Sequence, residues 1–357
     1  MERKLASVQR ALEILPIENA DAIELVRING WQCVTKKGEF RVGDLGVFLE
    51  IDAIPPDNST FNFLWSAKDG TVAERPEKFR IRTMKLRGAL SQGLFLPLAS
   101  FDLGEVSVGD DVTEKLGVTK YEPPIPIAGG GDIGGLFPGF VPKTDEIRVQ
   151  SAPEVIAEIF ASPYAITLKY DGTSATFCVD PRDEHFLVCG RNYAINDGDN
   201  LYWRIARQYD LEAKLRAHPT MAIQGEICGP GIQKNRLDLK QLALFVFNVY
   251  NLAERRYLDH DEARAFTSEI GLSAVETLET GDSFGYDLPA LLRLAEGKYP
   301  GTKNQREGIV VRPLHERGSE VLAGRALVQG DLQPLFAGRI FLSAPHQRKN
   351  PCYLKSR

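Results

Sequence analysis

Paired cysteines are missing from this sequence. Its five cysteines (Cys33, Cys178, Cys189, Cys228 and Cys352) are odd in number and include no Cys-x-x-Cys spacing. That argues against both a disulfide framework and a zinc site, so they read as reduced, mostly packed thiols. Long apolar runs are missing too, which excludes a bilayer-spanning helix and a membrane partner. Met1-Glu2-Arg3-Lys4 leads into no apolar signal-peptide core, so a cytoplasmic protein is expected. There is no basic excess: 43 Lys and Arg stand against 48 Asp and Glu, a net charge of −5. A general nucleic-acid coat is thereby disfavoured, while a local basic groove stays open. A phosphate-binding P-loop is also absent, because Gly129-Gly130-Gly131-Asp132-Ile133-Gly134-Gly135 is followed by no Gly-Lys-Ser/Thr.

At 357 residues the chain exceeds one hydrophobic core, and two domains are expected. Residues 1–120 hold short alternating segments such as Trp31-Gln32-Cys33-Val34-Thr35 and Gly46-Val47-Phe48-Leu49-Glu50-Ile51, set off by Gly, Asp and Pro turns. They predict a small β-barrel. Residues 121–142 are rich in Pro and Gly and predict a connector. Beyond it, Ser151 and Glu154 have capping-box spacing ahead of a helix, and Asn200–Leu215 carries Leu201, Ile205, Ala206 and Tyr209 on one face. Strands are expected over Ala175–Val179, Met221–Gln224, Leu242–Phe247 and Ile309–Val311. Helices are expected over Asp261–Ile270 and Pro289–Glu296, each followed by glycine. The fold class is α+β.

Lys169-Tyr170-Asp171-Gly172-Thr173-Ser174 is weak as an isolated motif. Its weight comes from four further segments in a fixed order along the chain: Gly190-Arg191-Asn192, Gly225-Glu226-Ile227-Cys228-Gly229-Pro230-Gly231, Phe245-Val246-Phe247-Asn248 and Arg306-Glu307-Gly308-Ile309-Val310-Val311. Together they resemble the covalent nucleotidyltransferase superfamily of RNA ligases, DNA ligases and messenger-RNA capping enzymes, over roughly residues 143–312. The first half resembles the N-terminal OB-type domain of Deinococcus-type RNA ligases. The segments concerned are Ala20-Asp21-Ala22-Ile23-Glu24-Leu25, Gly38-Glu39-Phe40-Arg41-Val42-Gly43-Asp44 and Lys85-Leu86-Arg87-Gly88-Ala89-Leu90-Ser91-Gln92-Gly93-Leu94, with Pro142-Lys143-Thr144-Asp145-Glu146 at the junction. The resemblance implies an OB-like barrel (1–120), the connector (121–142) and an adenylyltransferase domain of antiparallel sheets with an ATP-grasp-like ligase core (143–326).

A lysine that attacks the α-phosphorus of ATP must be a neutral amine, although free lysine is protonated near neutral pH. A divalent cation beside it would lower its pKa and neutralise phosphate charge. By the resemblance, Lys169 is the nucleophile and Asp171, Glu226 and Glu307 supply carboxylates, with Asp171 and Glu307 toward Mg2+ or Mn2+ and Glu226 toward the ribose or a metal. Gly172, Ser174 and Arg191 fall at nucleotide-contacting places. Arg191 suits a phosphate, with a surface ion pair as its plainer reading. Phe245 and Phe247 share a strand face; one is expected to stack on adenine and the other to pack in the core. Lys85, Arg87, Gln92 and Lys143 are candidate RNA contacts, against the alternative of a solvated strand face. The implied function is ATP-dependent sealing of 3′-hydroxyl and 5′-phosphate ends in nicked duplex RNA or RNA/DNA hybrid, in RNA repair, by a monomer.

The pattern then breaks. The superfamily's final strand, with lysines for the α-phosphate, has no counterpart that can be read after Gly308–Arg312, and no lysine stands there before Lys349. From Arg325 to Arg357 there are six basic residues and one acid, Asp331. With suitable synonymous codons for Leu327 through Phe336, a frame moved by one base encodes serine, phenylalanine, lysine, valine, isoleucine, serine, asparagine, arginine, tyrosine, leucine, the family's final pattern. Residues 327–357 are therefore either an aberrant, frameshifted tail or a basic tail that binds RNA. Two rivals to the ligase accompany this: a catalytically impaired RNA-binding protein and a capping-type guanylyltransferase.

Overall fold

The computed structural model describes residues 4–66, 71, 73–77, 79–121, 132–144, 146–322 and 324–331. Residues 122–131 of the expected connector, Asp145 and the chain from residue 332 fall outside them, so of the tail read over 327–357 only residues 327–331 are described.

The first half is built from antiparallel strands. Ala6–Arg10, Leu45–Leu49 and Leu94–Pro97 form one sheet, with Leu45–Leu49 central; Glu13–Pro16, Ile23–Ile28 and Trp31–Lys36 form another. The alternation read in Trp31–Thr35 is real: Trp31, Cys33 and Thr35 point inward while Gln32 and Val34 do not. In the first of these sheets the Phe95 and Phe48 rings lie close over neighbouring backbone. A Cβ at Gly46 would stand 2.6 Å from the Phe95 ring, and one at Gly93 2.4 Å from Phe48. Only glycine allows that packing. The hairpin Met84–Leu86 and Ala89–Ser91 lies against Trp31–Lys36, where Gln32 Nε2 donates to Leu90 O and Val34 N to Ser91 Oγ, with Arg87 at its turn in the left-handed region, φ +47°.

The second half contains two sheets. In the eight-stranded sheet the order is Ile133–Leu136, Tyr193–Ile195, Phe186–Cys189, Thr173–Val179, Met221–Cys228, Ala243–Asn251 and Arg256–Tyr257, with Ser273–Ala274 also pairing Ala243–Asn251. The five-stranded sheet runs Ile147–Arg148, Val328–Asp331, Gly308–Pro313, Tyr164–Lys169, Thr277–Gly281. Most neighbours are antiparallel. Helices Leu201–Gln208, Leu211–Ala217 and His260–Glu269 cover the larger sheet through Ile205, Leu211, Leu215 and Phe266, packed on Phe177, Ile223 and Val249. Helices Val155–Ile159 and Leu288–Ala295 cover the smaller one through Val155, Ile159 and Leu291, packed on Ile166, Ile309 and Val328.

Three local readings are corrected. The helix expected over Asn200–Leu215 is two helices, capped by Asn200, whose side chain accepts from Trp203 N, and broken at Asp210, which takes φ +51°. The break redirects the chain so that Leu211 and Leu215 are fully buried. Ser151 caps no helix: burial of Val149 holds Val149–Ser151 as a separate 3-10 turn, and the α-helix begins at Val155. The closing strand after Gly308–Pro313, expected to be missing, is present as Val328–Asp331, antiparallel to Gly308–Pro313 and parallel to Ile147–Arg148. It forms because Ala326, Leu327 and Val328 are buried, and Val328 completes the core beside Ile309 and Val311.

No helix among the described residues is long and apolar enough to cross a membrane.

Candidate active site

The two sheets of the second half face each other across a cavity of about 370 Å3. Register decides what lines it. On the five-stranded sheet, one row of paired residues reads Arg148, Gln329, Val310, Thr167, and all four border the cavity. Lys169 lies two residues beyond Thr167 on the same face, at the end of its strand and opposite Gly308. Across the cavity, Ser174 pairs with Glu226, which pairs with Phe245.

The Lys169 amine forms an ion pair of 2.5 Å with Glu307, and both side chains are about a quarter exposed, at 22% and 25%. Tyr299, fully buried, joins the two segments: its hydroxyl donates to Lys169 O at 2.6 Å and accepts from Glu307 N at 3.1 Å. The segment before Glu307 is fixed in turn by buried Arg306, which donates to Ala295 O, Leu294 O and Glu296 O, the orphan carbonyls ending the Leu288–Ala295 helix. Gly172 N donates to Glu226 Oε1 at 3.1 Å, and a Cβ on Gly172 would stand 2.3 Å from Ile227 O. The motif's glycine is therefore a requirement of close approach. Asp171 is paired with Arg236 at 2.7 Å, both partners largely buried.

Burial pushes the Glu226 carboxyl up to about 8; the Lys169 charge opposes the shift, and Glu307 adds to it. Burial also lowers Arg312, with help from Arg325, to about 10. The Arg312 guanidinium is tied to Phe247 O and Asn248 Oδ1 at 2.9 and 3.0 Å.

The residues singled out in the sequence divide clearly. Lys169, Asp171, Gly172, Ser174, Arg191, Glu226, Phe247 and Glu307 all border the cavity. Ser174 shares a hydrogen bond of 3.1 Å with Thr144, and Arg191 is exposed. Phe245 does not border it; its ring packs edge-on against Tyr170, centroids 4.8 Å apart. The two phenylalanines part company at a bulge, where Gln224 pairs Asn248 and Gly225 pairs Val246, leaving Phe247 unpaired. Lys85, Arg87, Gln92 and Lys143 do not border the cavity, although Lys143 directly precedes Thr144, which does. Lys85, Arg87 and Lys143 are exposed, whereas the Gln92 side chain accepts from Gln32 N within the barrel. Reading the sequence missed Arg236, Tyr299, Arg148 and Gln329. Arg236 stands shortly after the Gly229-Pro230-Gly231 stretch already noted, and Gln329 stands where a lysine was sought; Tyr299 carried no signal.

Among the described residues, no three His, Cys, Asp or Glu side chains gather closely enough to hold a metal ion by themselves. Carboxylate oxygens are nonetheless the donors that Mg2+ and Mn2+ take, and such ions keep several waters.

Comparison with known proteins identifies the fold and the family. An OB-fold domain model matches residues 5–98, and the RNA ligase family model matches residues 162–327. No curated protein matches the chain. Among solved structures, Naegleria gruberi RNA ligase with pyrophosphate is 36% identical, covering 92% of this chain and 96% of that one, with a TM-score of 0.72. A lysine-to-alanine variant of the Naegleria enzyme with ATP and Mn is 36% identical, covering 92% and 97%, with a TM-score of 0.73. A glutamate-to-alanine variant with AMP and Mn gives the same values. With both halves matched and 36% of residues identical over 92% of its length, the chain belongs to the RNA ligase family.

Proposed function

We propose that the chain is an ATP-dependent RNA ligase of the Deinococcus type that acts through lysyl-AMP. The observation that supports this best is the convergence of Lys169, Glu307, Glu226 and Asp171 on one cavity between the two sheets. In the first step Lys169 Nζ attacks the α-phosphorus of ATP, forming a P–N bond and releasing pyrophosphate. AMP then passes to the 5′-phosphate of the RNA, and a 3′-hydroxyl attacks that activated end, forming the phosphodiester and releasing AMP. Glu307 holds the amine in place, and Tyr299 keeps both in register. Asp171 and Glu307 would hold Mg2+ or Mn2+, which neutralises phosphate charge and favours the unprotonated amine. In this reading Phe247 would stack on the adenine, Glu226 would contact the ribose or a metal, and Arg191, exposed at the cavity's border, would meet a phosphate. Lys85, Arg87 and Lys143 would contact the RNA backbone. The substrate in this reading is a nicked duplex with an RNA 3′-hydroxyl strand, sealed by a cytoplasmic monomer in RNA repair.

One observation favours a second reading, an impaired enzyme that binds RNA. Gln329, a neutral amide donating to Glu146 O at 2.9 Å, faces the cavity where the family's α-phosphate lysine is expected. The two readings separate when the purified chain is incubated with a nicked duplex, ATP and Mn2+ or Mg2+. A ligase joins the strands; the impaired protein retains the duplex and joins nothing.

A further inference from the structure

The loop that leaves the Met221–Cys228 strand is held in a costly conformation: Gln233, Asn235 and Asp238, none of them glycine, have φ of +45°, +44° and +53°. It is anchored below by Ile232, buried in the core of the larger sheet, and braced internally by Asn235, whose side chain accepts from Leu239 N and donates to Leu239 O. Two of its side chains grip the turn after Lys169. Gln233 Nε2 donates to Gly172 O at 3.2 Å, and Arg236 Nε meets Asp171 Oδ2 at 2.7 Å. The far side of the same guanidinium donates through Nη1 to Gln305 O at 3.1 Å, and Asn304 Nδ2 donates to Arg236 O at 2.9 Å. One arginine, on the loop that follows the strand of Glu226, thus touches both the segment carrying Lys169 and the segment carrying Glu307.

We propose that Arg236 is a positioning residue that locks the Lys169 turn to the Glu307 segment. The proposal rests on the lysyl-AMP reading for its purpose. Its geometric content stands apart from that reading. A guanidinium presents donors along separate edges and so spans from Asp171 to Gln305 O, whereas an ammonium gathers its three donors on one nitrogen and does not bridge that separation. Asp171 is oriented by this pairing, as ligating carboxylates are oriented by their own partners.

The test uses the full chain with Arg236→Met and Arg236→Lys, read by amide hydrogen exchange and by lysyl-AMP formation. In Arg236→Met, exchange at residues 170–174 and at 304–308 should both rise about tenfold, since each loses an anchor. In Arg236→Lys, which still reaches Asp171, residues 170–174 should stay protected while 304–308 loosen. Lysyl-AMP formation at saturating ATP should slow on the order of tenfold in Arg236→Met, with affinity for a non-hydrolysable ATP analogue within about twofold of the parent. Exchange that rises only within residues 229–240, or a parallel loss of analogue binding and rate, would overturn the proposal. A parent chain that forms no lysyl-AMP overturns the proposed function, and the exchange pattern still decides whether Arg236 locks the two segments.

Discussion

At the scale of single residues, the site holds one carboxyl far from its ordinary titration. Glu226 is raised from 4.5 to about 8, chiefly by burial. Between those values the folded chain keeps a proton that the unfolded chain has lost, so this group's contribution to stability is complete below about 4.5 and declines as pH rises through about 8. Glutamine cannot titrate. The melting temperature of Glu226→Gln relative to the parent should therefore climb across that window and level off above it; a difference that stays constant with pH would contradict the assignment. Lys169, Asp171, Glu226 and Glu307 were legible in the sequence because their chemistry fixes residue type, order and neighbouring glycines. Arg236 and Tyr299 were not, because their partners are brought near only by folding: Asp171 Oδ2 at 2.7 Å and Gln305 O at 3.1 Å for Arg236, and Lys169 O at 2.6 Å for Tyr299. Many residues could make such bonds, so no pattern marks them.

At the scale of elements, alternation located strands well, since burial on one face imposes a period of two residues. Met221–Cys228 runs past the expected Gln224 and takes in Glu226, which borders the cavity, and Ala243–Asn251 runs past Phe247 through buried Asn248, Val249 and Tyr250. The split at Asp210 was hidden, because a single left-handed residue leaves the apolar spacing almost intact. Val328–Asp331 was hidden by its own composition, short and with Gly330 inside it. That strand places Gln329 in a row with Arg148 and Val310, bordering the cavity. A lysine there would bring an ammonium to the phosphates, and charge stabilisation of this kind is commonly the largest catalytic contribution. Gln329→Lys should thus raise the initial rate of lysyl-AMP formation on the order of a hundredfold in a labelled-ATP assay. An unchanged rate would show that the strand's register does not bring residue 329 to the phosphates.

At the scale of the whole molecule, the barrel and the ligase core touch: Asn29 Nδ2 donates to Gln150 O at 3.3 Å, and the Arg148 guanidinium lies 5.9 Å from the Trp31 ring centre. Alternating segments in the first half and mixed helix and strand signals in the second were readable, but Ile133–Leu136, inside the stretch expected to be a connector, is a strand of the larger sheet; the contact between the halves was not readable, since neither half's pattern records the other. With a net charge of −5, the proposed binding to RNA would depend on local basic features. The exposed hairpin of Lys85 and Arg87 is one of them. Replacing both by alanine should weaken binding to a nicked duplex and flatten the dependence of log Kd on log salt by about two; an unaltered slope would mark the hairpin as a solvated face.

The central claim is that Lys169 takes AMP from ATP. The most direct measurement is to incubate the purified chain with labelled ATP and Mn2+ or Mg2+, and to map any label by peptide mass spectrometry. The expected result is one AMP on Lys169, absent from Lys169→Ala and not formed from GTP. No label on the parent chain, or label that persists in Lys169→Ala, would contradict it.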